Sequence, residues 1–172
     1  VYAENNQEAL DLALMAYAVA EDERVQTPVM VNLDGFALTH TYETVEVPSP
    51  EQADAFLPPY QTKNRFDFEH PTNIGFSAGP EYNRYFKYQE HQDLLNAPAV
   101  IEEVEQRFAQ VFGRRYPGLV EAVQCEDADY VLVTLGSAAG LVRTVVESLR
   151  AQGLRVGLLR VRYLRPLPTV AL

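Results

Sequence analysis

The chain has 172 residues and no tryptophan, with 47% hydrophobic and 22% charged residues; this excludes a disordered or fibrous chain and suits about one domain, or one domain with part of another. Its 14 basic residues face 24 acidic ones, and the resulting formal charge of −10 excludes nucleic acid as a partner, because binding a polyanion rests on clustered Lys and Arg. The single cysteine, Cys125, excludes an internal disulfide framework, a CxxC pair and a thiolate set for zinc or iron–sulfur, and fits a reducing cytoplasm.

Asn5 followed three residues later by Glu8 is a variant capping box. Leu10, Leu14 and Tyr17, with Ala13 and Ala20 beside them, keep helical spacing to about Glu21 and predict the core face of a first helix. Pro28 then opens the short apolar run Val29 to Leu33, which Asp34-Gly35 closes, and this predicts a strand buried on both faces. Thr44 to Val47 is a second short β candidate, so residues 1–47 read as the last helix and strand of a larger α/β sheet. Residues 48–95 hold most of the prolines and read as a connecting segment. Within it, Ser49-Pro50-Glu51-Gln52 predicts a capped short helix running to Phe56. Tyr82, Tyr85, Phe86 and Tyr88 form an aromatic stripe at helical spacing, which suits packing in a core or an interface better than stacking on a ligand.

Residues 96–172 read as a second α/β unit. A helix marked by Ile101, Val104, Phe108 and Val111 is expected to start at Asn96 or Pro98 and stop at Gly113. A strand follows over Leu119 to Val123, then a buried strand over Tyr130 to Leu135, a turn over Gly136 to Gly140, a helix with Val142, Val145, Val146 and Leu149 on its inner face, Gly153 at its end, and a buried strand over Val156 to Val161. The last three elements make a βαβ unit with parallel strands. No apolar run approaches the ~18 residues a membrane span needs, and Glu4, Glu8 and Asp11 stand where a signal peptide would be apolar.

Charge is unevenly placed: residues 1–60 hold eleven acids and one base, Arg24. This predicts either a solvated face or a docking surface, for a basic partner or for the chain's own C-terminal end, where Arg143, Arg150, Arg155, Arg160, Arg162 and Arg165 face only Glu147. Glu102, Glu103 and Glu105 are expected on an outward helix face. Cys125 sits beside Glu126, Asp127 and Asp129, whose charge disfavours a thiolate, so it reads as a partly buried strand-end thiol. His40, His70 and His91 show no metal-binding spacing.

The turn from Gly136 to Gly140 is the one feature able to hold a ligand by itself, since amides at a helix N-terminus attract phosphate. Ala138 breaks the G-x-G-x-x-G pattern, but Arg160 and Arg162 stand near where a 2′-phosphate would be met, so a free-standing NADP-like nucleotide module stays as the alternative. No residue carries a catalytic or metal-ligating pattern, and cofactor contacts stay open.

Six strings in order carry a family resemblance: Asn32-Leu33-Asp34-Gly35-Phe36 with Thr39-His40-Thr41; Val45-Glu46-Val47-Pro48; Phe56-Leu57-Pro58-Pro59-Tyr60; Gly79-Pro80-Glu81-Tyr82; Leu135-Gly136-Ser137-Ala138-Ala139-Gly140; and Val156 to Arg162 running into Arg165-Pro166-Leu167-Pro168. Together they resemble the α subunits of pyruvate:ferredoxin oxidoreductases, within the wider 2-oxoacid:ferredoxin oxidoreductases. The resemblance implies an internal fragment of such a subunit: 1–47 as the end of a domain that receives the pyrimidine ring of thiamine diphosphate, and 96–172 as a truncated α/β domain like the transketolase C-terminal domain. It implies a complex that converts pyruvate and coenzyme A to acetyl-CoA, with thiamine diphosphate and Mg²⁺, iron–sulfur clusters on other domains or subunits, and ferredoxin as acceptor. It also implies that the isolated chain is inactive, because the family's ring-activating glutamate and carboxylate-binding arginine fall upstream of Val1. Leu167 replaces the family's usual phenylalanine, and Pro98 stands where the family's helix normally continues.

Overall fold

A computed structural model describes residues 1–62, 65–73, 75 and 77–169. The first helix, α1 (Asn6–Ala20), is capped as the sequence predicts, with the Asn5 side chain accepting from the Glu8 amide. The buried stripe is different: it comprises Glu8, Asp11, Leu12, Met15 and Val19, while Tyr17 and Ala13 are exposed and Leu10 and Leu14 are half-buried. Two carboxylates turn the helix inward because arginines wait for them there. The next helix, α2 (Pro50–Phe56), carries the full capping box, with Ser49 and Gln52 satisfying each other's amides.

The third helix, α3 (Pro80–Phe112), runs unbroken for 33 residues. It begins at Pro80, not at Asn96 or Pro98, and so crosses from the connecting segment into the last one. Pro98 offers no amide to the Leu94 carbonyl, yet the helix continues through it, because the turns on both sides are tied down: Ala97, Val100 and Ile101 are buried, and Asn96 donates to the Arg24 carbonyl at 3.1 Å. Gly113 ends the helix at φ +73°, a left-handed position suited to glycine.

A three-stranded sheet follows, built from β1 (Val120–Val123), β2 (Tyr130–Thr134) and β3 (Val156–Val161) in the order β1-β3-β2. β2 and β3 are parallel, with Tyr130 opposite Val156 and Thr134 opposite Arg160, and α4 (Ala138–Ala151) connects them, so the βαβ unit forms as expected. β1 runs antiparallel to β3, which makes the sheet mixed. β3 is central and buried. β2 is not buried: Tyr130 is 73% and Val133 61% exposed, and among the described residues the strand is paired along one edge only.

The expected buried strand at Val29 to Leu33 does not form either. Met30 and Leu33 are exposed, and the run makes a single parallel bridge, Tyr2 to Asn32, against the short extended start of the chain. Thr44 to Val47 forms no strand. The main apolar core joins α1, α2 and α3 through Leu12, Met15, Val19, Phe56, Val100, Ile101, Val104 and Phe108. A smaller one lies under α4 at Val146, Val156 and Leu158, flanked by half-buried Val142 and Leu149; Val145 is exposed.

Candidate functional site

Between the helical core and the sheet lies a layer of charge. Arg162 is fully buried at the end of β3. Its Nε donates to Glu8 at 3.0 Å and its Nη1 to Glu105 at 2.5 Å, with a further contact to the Gly118 carbonyl, while the guanidinium lies over the rings of Tyr116 and Tyr163 at 5.1 and 5.7 Å. Arg160, also buried, bridges Glu8, Glu4 and Glu121. Arg143 on α4 reaches Glu4 at 3.1 Å and Glu121 at 3.0 Å. Arg114 grips Asp11 through Nε at 2.7 Å and Nη2 at 2.9 Å, and it meets Glu46 at 2.9 Å, while the Tyr116 hydroxyl donates to Asp11 at 2.6 Å.

The groups in this layer are held in their charged or neutral forms by one another. Burial opposes the charge on Arg162, but Glu105 and Glu8 overcome it and raise its pKa. The hydrogen bonds that Arg143 donates to Glu121 and Glu4 raise its pKa against its own burial. For Glu121, burial pushes the carboxyl up, but Arg143 and Arg160 win and hold it below the usual carboxylate range. Burial and the bond to Asp11 raise the Tyr116 phenol. With its buried acids each paired to an arginine, the arrangement suits structural linkage.

The Gly136 to Gly140 turn is answered by the chain's own anions. The Ser137 hydroxyl donates to Asp34, and a Cβ at Gly140 would lie 3.3 Å from Glu4 Oε1, so carboxylates already occupy the start of α4. Arg160 and Arg162, needed by the nucleotide alternative for a 2′-phosphate, are buried and committed to Glu4, Glu8, Glu105 and Glu121. The alternative is therefore not favoured. Glu105, expected on a solvated face, is buried and bonds both Arg162 and the Gly118 amide, whereas Glu102 and Glu103 are exposed as predicted. Of the two docking roles for the acidic third, the structure shows the one toward the chain's own C-terminal end, through Glu4 and Glu8.

Cys125 is half-buried at the end of β1, with its thiol directed to the Leu158 carbonyl at 3.2 Å. His40, His70 and His91 are all exposed; His40 contacts Thr39 and stacks on Phe36 at 4.7 Å, and His70 contacts Asp67. Among the described residues no group of three His, Cys, Asp or Glu side chains could hold a metal ion. The buried glutamates, Glu8 and Glu105, both accept from Arg162. The sequence marks Arg160 and Arg162 as partners for the acidic segment, and the signal for their burial is their alternation with Leu159 and Val161 in an otherwise apolar strand.

Two family models match the chain. Residues 1–106 match the family model described as "Pyruvate flavodoxin/ferredoxin oxidoreductase, thiamine diP-bdg", and residues 128–172 match "Pyruvate:ferredoxin oxidoreductase core domain II". Pyruvate synthase subunit PorA of Methanothermobacter thermautotrophicus is 44% identical over 168 residues, covering 98% of this chain and 44% of that protein. PorA of Pyrococcus furiosus is likewise 44% identical, covering 97% and 42%. Ketoisovalerate oxidoreductase subunit VorA of Pyrococcus abyssi is 42% identical, with the same coverage of 97% and 42%. The chain thus spans less than half the length of these relatives. With the first family model covering more than half of the chain, it belongs to the thiamine-diphosphate-binding pyruvate flavodoxin/ferredoxin oxidoreductase family.

Proposed function

We propose that this chain is part of the α subunit of a thiamine-diphosphate-dependent pyruvate:ferredoxin oxidoreductase. In the reaction proposed for the assembled enzyme, the C1–C2 bond of pyruvate breaks to release CO₂, the remaining two-carbon acetyl group bonds to the coenzyme A sulfur with release of the thiol proton, and the electron pair passes through iron–sulfur clusters on other domains or subunits to ferredoxin. Thiamine diphosphate with Mg²⁺ would supply the carbanion chemistry when bound. This chain's residues hold its two ends together and are silent alone.

The observation that carries this reading is the ionic layer. It pairs the buried acids Glu8 and Glu105 with arginines, and so fastens residues matched by the thiamine-diphosphate family model to residues matched by core domain II. Segments 1–47, 48–95 and 96–172 are proposed as the end of the pyrimidine domain, a connection, and the front of a transketolase C-terminal-like domain. The parallel β2–β3 pair with its crossover helix, the antiparallel β1 at one edge and the bare apolar β2 at the other support that last assignment. An apolar recess of about 240 Å³ beside Met30, lined by Val25, Ala97, Ile101 and Tyr163, supports further packing from the parent polypeptide near the expected first strand. Among the described residues no helix is long and apolar enough to cross a membrane; a cytoplasmic complex is the setting proposed.

Calorimetric titration with thiamine diphosphate and Mg²⁺ tests the proposal on two samples. The assembled complex is expected to bind saturably and to reduce a viologen dye when given pyruvate and coenzyme A; the 172-residue chain is expected to do neither. Saturable micromolar binding by the chain alone, or a complex that ignores pyruvate, refutes the reading.

A further inference from the structure

We propose that a single buried water is bound between the sheet and the N-terminal segment, held by Thr134 Oγ1, Arg160 Nε and the Ala3 carbonyl. Thr134, at the end of β2, is the register partner of Arg160 on β3. Side chains alternate along a strand, so Arg160 shares the face of Val156 and Leu158, which α4 covers, and Thr134 stands beside it on that face. Arg160 is 3% exposed, and its Nη atoms serve Glu4, Glu8 and Glu121. Its Nε is enclosed and has no hydrogen-bond partner among the described residues, and the Thr134 hydroxyl oxygen is in the same condition. Two orphaned polar atoms at one register position point to a shared guest, because buried polar groups are nearly always paired with protein or with ordered water. The N-terminal segment borders the same place. Ala3 is fully buried, Arg160 Nη2 reaches the neighbouring Tyr2 carbonyl at 3.4 Å, and a Cβ at Gly136, two residues past Thr134, would lie 4.0 Å from the Ala3 oxygen.

Chemistry and size choose the guest. Arg160 Nε only donates and the Ala3 carbonyl only accepts, so the guest must accept from one and donate to the other. An anion would meet Glu4, Glu8 and Glu121, and a cation would meet Arg143 and Arg160, so the guest is neutral. Neighbouring strands lie about 4.8 Å apart, a spacing that one water bridges and a larger molecule does not fit. Further polypeptide cannot supply the missing partner, because this chain already encloses both atoms. Bonds to Arg160, Ala3 and the Thr134 hydroxyl give the water about three partners, the usual number for a buried one. The water thereby adds a link between the start of the chain and the sheet.

The test uses the assembled complex. A high-resolution crystal structure is expected to show one ordered water within about 2.7–3.2 Å of Thr134 Oγ1 and Arg160 Nε. Thr134→Val removes the hydroxyl at nearly constant shape, and the sign of its effect decides. If the water is there, valine strands it, and hydrogen exchange of the β3 amides, read by mass spectrometry, is expected to speed up at least about fivefold. Thr134→Ser, which keeps the hydroxyl, is expected to keep the water and to exchange more slowly than the valine variant. If no water is bound, valine merely deletes an unpaired polar atom, and exchange slows or stays the same. Slower or unchanged exchange in the valine variant, a map without a water at that position, or a protein group seated there overturns the proposal.

Discussion

Replacing Arg162 with methionine tests whether the charge layer holds the two ends of the chain together. The side chain is fully buried and serves Glu8, Glu105 and the Gly118 carbonyl at once. Removing one partner of a buried ion pair leaves an uncompensated charge and costs about 3–5 kcal/mol. Two features place the expected loss at the lower end, about 3 kcal/mol: Glu8 keeps Arg160, and Glu105 keeps the Gly118 amide. Urea unfolding followed by far-UV circular dichroism measures the loss as a shift in midpoint at constant slope. Adding Glu105→Leu removes the stranded carboxylate, so the double variant should be at least about 1 kcal/mol more stable than additivity predicts. A single change costing under about 1 kcal/mol, or strict additivity in the pair, refutes the argument.

Three further outcomes follow from the same geometry. Because Arg143 and Arg160 depress the Glu121 carboxyl, its contribution is complete above the unfolded value near pH 4.5 and is lost as pH falls through the lower folded value; the stability gap between wild type and Glu121→Gln should be flat from about pH 6 to 8 and close under acid. Phe56→Ala should cost about 3–5 kcal/mol in thermal or urea unfolding, since Phe56 is fully buried with edge contacts to Phe108 at 5.3 Å and Phe112 at 5.6 Å. Gly157→Ala should destabilise by about 1–3 kcal/mol and broaden the amide resonances of β1 and β3, because its Cβ would meet the Gln124 carbonyl at 2.8 Å and the Cys125 Cα at 2.9 Å, both backbone atoms.

What the sequence made legible was local. Asn5 and Ser49 announce their helices because a cap is written within four residues, and the βαβ unit is legible because Gly136, Gly153 and two apolar runs punctuate it. The start of α3 was available in Gly79-Pro80-Glu81, with proline in the first turn and an acid behind it, but Pro98 drew the boundary instead. Val29 to Leu33 has strand composition without strand neighbours: composition cannot supply the partner that a ladder requires, and only Asn32 finds one. The charge layer was the least legible part. Its pairs join residues as far apart as Glu8 and Arg162, and an acidic residue on a helix reads as solvated until the arginine that buries it is in place.

The bare edge of β2 has a practical consequence for anyone who produces these residues apart from their parent. A short strand rich in Val and Leu, with unpaired amides on one side, is a template for intermolecular β-aggregation. A gatekeeper stands at the entrance, where Asp129 is held by Arg155. Neutralising that acid should shorten the shelf life of the preparation, and a lysine at Val133 should lengthen it.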